Sequence, residues 1–180
     1  MKKIIYLFMG VILMATACKS EVNNAETLEE SFDERVELGQ LDSIRAELQK
    51  AMPNVPIDLY KKAIAMHLQF VEYNPEDDFA PVALDYAQGF SEQIQDLRSS
   101  ISIINRILKE YPDFKGKQML MYIKATHHDF LRDTTEARMA YEDYLKEFPK
   151  LSKEERAEVE ELIILVPLSM EERIKLNSSN

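Results

Sequence analysis

Three prolines, each close behind an aromatic residue, fall 37 residues apart twice over: Pro75, Pro112 and Pro149. Their contexts are Tyr73-Asn74-Pro75, Tyr111-Pro112 and Phe148-Pro149. Counting back from each proline gives one register. Twelve residues earlier sit Ala63, Ser100 and Ala137; eight earlier sit His67, Ile104 and Tyr141; five earlier sit Phe70, Ile107 and Tyr144. A small residue, bulky residues four and seven positions on, and a closing proline describe one face of a helix. The proline ends it, because it lacks the N–H that the next turn needs. A fixed period between about 20 and 50 residues restricts the chain to a stack of like units, each too small to bury its own apolar face.

Each of these helices is preceded by another. The spacing predicts one from Phe79-Ala80-Pro81 to about Gln93, with proline in the first turn where its missing N–H is not needed. A second is predicted from Lys117 to about Leu131, and Leu41, Ile44, Leu48 and Met52 form a shorter stripe before the first unit. Asp133-Thr134-Thr135-Glu136 and Ser152-Lys153-Glu154-Glu155 have the spacing of a helix-capping residue with Glu at the third position. No stretch alternates with period two, so no sheet is expected. The prediction is an all-α stack of helical hairpins in a domain over 31–180, with units near 38–75, 76–112 and 113–149. A helical cap over 150–176 would cover the open end of the stack.

The first thirty residues read differently. Met1-Lys2-Lys3 is a positive start, and Ile4 to Ala15 is an apolar run too short for a mature membrane span, which needs about 20 residues. Ala15-Thr16-Ala17-Cys18 follows, and Cys18 is the sole cysteine. Small residues just before a cysteine resemble the lipobox of bacterial lipoproteins, with Ala15 where Leu is usual. The resemblance implies a signal over 1–17, cleavage between Ala17 and Cys18, and a lipid on the Cys18 thiol. An ordinary signal cleaved after Ala17, leaving a free thiol, and an uncleaved anchor are the alternatives. Residues 18–30 are polar and aperiodic, as a tether would be. No Asp follows Cys18, which favours outer-membrane over inner-membrane placement under the enterobacterial sorting rule.

Charge narrows the partners. The chain carries 22 Lys and Arg against 32 Asp and Glu, a formal net charge of −10, which becomes −12 once Lys2 and Lys3 leave with the signal. Phosphate backbones require positive charge, so nucleic acid is not an expected partner. Anionic headgroups would repel this chain, so membrane attachment falls to the lipid.

The helix–turn–helix unit, with its small residue at Ala63, Ser100 and Ala137, Tyr141 in the third copy and a terminal Pro at 75, 112 and 149, resembles the tetratricopeptide (TPR) family. These units are three residues longer than that family's, and the first helices lack its Trp-Leu-Gly pattern. With the lipobox, the layout is similar to envelope lipoproteins related to the TPR component of the outer-membrane β-barrel assembly machinery. The resemblance implies a non-enzymatic protein-binding scaffold at the periplasmic face of the outer membrane. It also implies a partner groove lined by first helices, which points to Asp85, Gln88, Glu92, Lys124, His128 and Arg132, with Tyr86 and Tyr122 as aromatic anchors. A periplasmic adaptor in cell-wall or polysaccharide handling shares this layout.

Motifs for chemistry are sparse. No Gly-x-Ser-x-Gly, phosphate loop or HExxH occurs, and neither cofactor nor catalytic residue is predicted. His127 and His128 are adjacent and diverge on a helix, so a metal site using them with Asp129 and Asp133 is the lesser alternative and no metal is expected. His67 lies on an apolar stripe and reads as a hydrogen-bonded core residue.

Overall fold

The computed structural model describes residues 36–177, and all regular structure among them is helical. Ala17, Cys18, the predicted signal and the tether therefore lie outside the described residues. Eight helices follow one another: α1 Leu38–Ala51, α2 Ile57–Tyr73, α3 Ala80–Gln93, α4 Leu97–Glu110, α5 Lys117–Phe130, α6 Thr134–Glu147, α7 Lys153–Leu165 and α8 Met170–Asn177. Sequence neighbours from α1 to α7 pack on one another, as in a helical-repeat fold.

Local chemistry explains the boundaries. Helix α1 opens on a reciprocal capping box between Glu37 and Gln40 and buries Leu41, Ile44 and Leu48. Met52, expected on that stripe, lies past the last turn and is exposed. Helix α2 stops at Asn74, whose side-chain amide donates to the Phe70 carbonyl at 2.9 Å, and Pro75 follows. Before α3, the Asp77 carboxylate accepts the Phe79 N–H at 2.8 Å, so one acid of Glu76-Asp77-Asp78 caps the turn. Asp96 accepts the Ser99 N–H at 3.1 Å to start α4. Ser152 and Glu155 form the expected capping box of α7. Asp133, expected to cap α6 in the same way, makes no such bond. Its carboxylate turns towards Arg98 at 3.4 Å and His128 at 3.8 Å.

The 37-residue shift recurs in the backbone. The turns joining α3 to α4 and α5 to α6 each hold one left-handed residue, Gln95 at φ 60° and Arg132 at φ 61°. In each, the following amide reaches back five residues: Asp96 N–H to Ser91 O and Asp133 N–H to His128 O, both at 2.9 Å. The left-handed residue also donates three back, to Glu92 O at 2.8 Å and to Asp129 O at 3.0 Å. This pair of bonds is the Schellman closure of a helix, made here without glycine. Contacts between units have nearly the same separation. Arg106 on α4 donates to Glu72 on α2 at 2.6 Å, and the Tyr111 hydroxyl donates to the Pro75 carbonyl at 2.9 Å.

The small residues Ala63, Ser100 and Ala137 are fully buried, and Tyr141 is 1% exposed. They let the paired helices approach closely, while Pro75, Pro112 and Pro149 sit exposed past the ends of α2, α4 and α6. Two apolar cores result. One runs from Val36 to Leu120 and includes Leu84, Ile104 and Ile107; the other runs from Ala125 to Val166 around Tyr141, Tyr144 and Val159. Burying each such side chain stabilises by about 1.5–3 kcal/mol. Among the described side chains of helix α8, residues 171–176, none is fully buried. The helix is held by Arg173, whose guanidinium donates two bonds to the Asp129 carboxylate of α5, at 2.8 and 2.6 Å.

Candidate functional site

Between the two cores lies a buried polar cluster. Gln88 and Glu92 come from one side of α3, Ser100 from the start of α4 and His127 from α5. The Gln88 amide donates to the Ser100 hydroxyl at 3.1 Å. Nε2 of His127 is 2.9 Å from the Glu92 carboxylate and 3.1 Å from the same hydroxyl. Burial lowers the His127 pKa, and Glu92 opposes that by favouring the charged ring.

Serine, histidine and a carboxylate invite comparison with a nucleophilic relay. A relay needs the carboxylate on one ring nitrogen and the hydroxyl on the other. Here both meet Nε2, and Ser100 has no exposed surface. The cluster instead adds polar ties between α3, α4 and α5, which the first apolar core also joins.

The six residues expected to line a groove do not form one surface. Gln88 is 3% exposed and turned inward to Ser100, which corrects its placement among the groove-lining residues. The reason is the small residue of the next helix, which leaves room for the amide and offers it an acceptor. Glu92 is half-buried against His127. Asp85 is half-buried, and its carboxyl is raised by burial and by the charge of Glu92. His128 is lowered by burial and by Lys124, itself half-buried. Arg132 is exposed, but it belongs to the turn after α5 and donates to the Leu168 carbonyl at 2.8 Å. It braces the C-terminal segment instead of facing a groove.

The two aromatic anchors have intramolecular neighbours as well. The Arg45 guanidinium lies 4.6 Å from the centre of the Tyr86 ring, and Tyr122 packs edge-on against Tyr141 and Tyr144. His67 is fully buried between these helices. Its Nδ1–H donates to the Ala63 carbonyl at 2.7 Å, and its ring meets Phe90 edge-on at 5.4 Å. Nε2 has no hydrogen-bond partner among the described residues, and burial pulls the pKa down to about 4. His127 and His128 diverge, towards Glu92 and Asp133 respectively. Among the described residues, no three His, Cys, Asp or Glu gather in a metal-binding group.

The concave surface lies elsewhere, along the starts of α3, α5 and α7 and the ends of α4 and α6. One notch of about 730 Å³ is lined by Pro81, Glu110, Tyr111, Pro112, Asp113 and Phe114, among others. Adding 37 to those numbers gives Gln118, Glu147, Phe148, Pro149, Lys150 and Leu151. Those six line a second notch of about 480 Å³ together with Glu155. The first notch continues into one of about 490 Å³ at Pro75, through shared residues including Tyr111. The second continues into one of about 460 Å³ at Met119, Tyr122 and Val159, through Gln118 and Glu155. Lys115 lines both the first notch and this last one, so the two pairs adjoin along one side of the fold. The sequence signal was present: the aromatic-proline pairs Tyr111-Pro112 and Phe148-Pro149 that end α4 and α6 also build the notch walls.

Comparison with known proteins adds no identity: no family model, no curated protein and no solved structure matches this chain. Among the described residues, no helix is long and apolar enough to cross a membrane.

Proposed function

We propose that this chain is a non-enzymatic protein-interaction scaffold: a TPR-like stack of three helical hairpins with a C-terminal cap, held by a lipid on Cys18 at the periplasmic face of the outer membrane. Its task is to hold another protein, in the assembly of outer-membrane proteins. The observation that carries the reading is the groove that repeats its wall at a 37-residue shift. A surface that repeats with the fold is how stacked helical units build extended binding sites. The lipobox-like Ala15-Thr16-Ala17-Cys18 supports the anchor, and the acidic balance supports attachment by lipid and not by a basic patch.

Mild crosslinking of the tagged full-length chain in native envelopes, followed by mass spectrometry, tests this reading. The expected result is recovery of a β-barrel outer-membrane protein or of factors that assemble one. Recovery of cell-wall or polysaccharide enzymes would keep the scaffold and refute its place in assembly. A chain that crosslinks to no protein refutes the scaffold.

A further inference from the structure

We infer that the groove along the starts of α3, α5 and α7 is the docking site for an extended, basic protein segment that carries apolar side chains between its charges. The inference rests on the scaffold reading and names both the surface and the chemistry of its partner.

Charge decides the partner's sign. The four connected notches are lined by eight acidic residues and two lysines, Lys115 and Lys150. Two of those acids are already answered within the fold: Glu110 by Arg106 at 2.9 Å and Glu147 by Lys117 at 2.5 Å. Six remain against two lysines. Among them Asp78 and Asp113 come from different loops yet line one notch. Acids brought together this way strengthen the field of the groove and favour a cationic occupant.

The wall decides the rest. Tyr111, Phe114, Phe148 and Leu151 recur in pairs at the 37-residue shift, and Met119 is 62% exposed beside them. In an extended segment alternate side chains point to opposite sides, so its cations can meet the acids on one wall while its apolar residues meet the aromatic wall.

The probe is a synthetic peptide of about 12 residues that alternates Lys or Arg with Leu or Phe and carries a benzophenone. Extended, it spans about 40 Å, close to the diameter of a domain this size. It is titrated against the full-length chain in mild detergent by fluorescence anisotropy, and its crosslinks are mapped by mass spectrometry. A peptide of the same pattern with Glu for each cation is the counterpart. Asp78→Lys/Asp113→Lys reverses two exposed groove acids, and Glu142→Lys/Asp143→Lys makes the same net-charge change on exposed positions of α6 outside it. The expected result is crosslinking to 110–119 and 147–159. The groove variant should bind roughly tenfold more weakly and the control should stay within about threefold of the parent, since two local charges act above the screened field of the whole chain. Equal loss in both variants, equal binding of the acidic peptide, crosslinks confined to other faces, or no binding of the basic peptide each overturns the inference. If the envelope experiment still recovers a protein partner, the scaffold reading stands and only the groove assignment fails.

Discussion

Replacing Asp129 by Asn separates local from global stability in this fold. Asp129 and Arg173 form a two-bond charged pair with side-chain exposures of 10% and 16%. Removing one partner of a buried pair commonly costs about 3–5 kcal/mol, because the other charge is stranded. Here Arg173 keeps acceptors at the Leu168 and Val166 carbonyls, at 3.2 and 3.3 Å, and retains some solvent. A loss of about 2–3 kcal/mol is therefore expected. Helix α8 spans eight residues, too short to persist alone, and none of its described side chains, 171–176, is fully buried. The loss should appear as release of α8 while the stack stays folded. Amide exchange over 171–176 should accelerate roughly 30- to 160-fold, with the thermal midpoint falling by less than about 4 °C. Arg173→Gln should do the same, and the double variant should add little. Unchanged exchange in α8 would refute the clasp. A cooperative loss of 2–3 kcal/mol across the whole domain would refute its being local.

Four further outcomes are expected. His67 titrates near 4 in the folded chain against 6.5 ordinarily, so the unfolded chain takes up the proton first as pH falls. The stability from its neutral ring is complete above about pH 6.5 and lost progressively towards pH 4, by up to about 3 kcal/mol. His67→Phe should flatten the denaturant midpoint against pH over that window, and an unaltered slope would contradict the assignment. Leu84→Ala removes a fully buried side chain from the first core and should lower unfolding free energy by about 3 kcal/mol in urea titration; a change under about 1 kcal/mol would mean the site collapses or is not packed. Gln95→Gly relieves an exposed left-handed residue and should raise stability by about 0.5–1 kcal/mol in the same assay, the reverse of the usual effect of glycine. Cys18→Ser should move the full-length chain from the detergent phase to the aqueous phase on Triton X-114 partition; if the variant stays in the detergent phase, something other than lipid on Cys18 anchors it.

Much of this protein was legible because its information is local and repeated. Helix periodicity needs only apolar residues every three to four positions, and a proline stops a helix wherever it stands, so Pro75, Pro112 and Pro149 could be read without a partner in view. Ser152 with Glu155 could also be read, since a capping box lies within four residues. Asp133 had the same local pattern but a different outcome, because Arg98 and His128 arrive from other helices and compete for its carboxylate.

What the sequence by itself determined is the period, the helical class and the ends of the helices, all consequences of interactions a few residues long. What only the tertiary structure decided is which polar residues face water. Gln88 is polar, as a surface residue is, yet it falls four positions after Leu84 on the buried stripe, where Ser100, twelve positions on, accepts its amide. Arg132 leaves its helix and serves a carbonyl 36 positions away. The groove is likewise a property of the stack, since its walls come from the ends of one helix pair and the start of the next. A side chain's exposure depends on what packs over it, and in stacked helices that cover comes from whichever helix lies alongside, for Gln88 the next one in the chain.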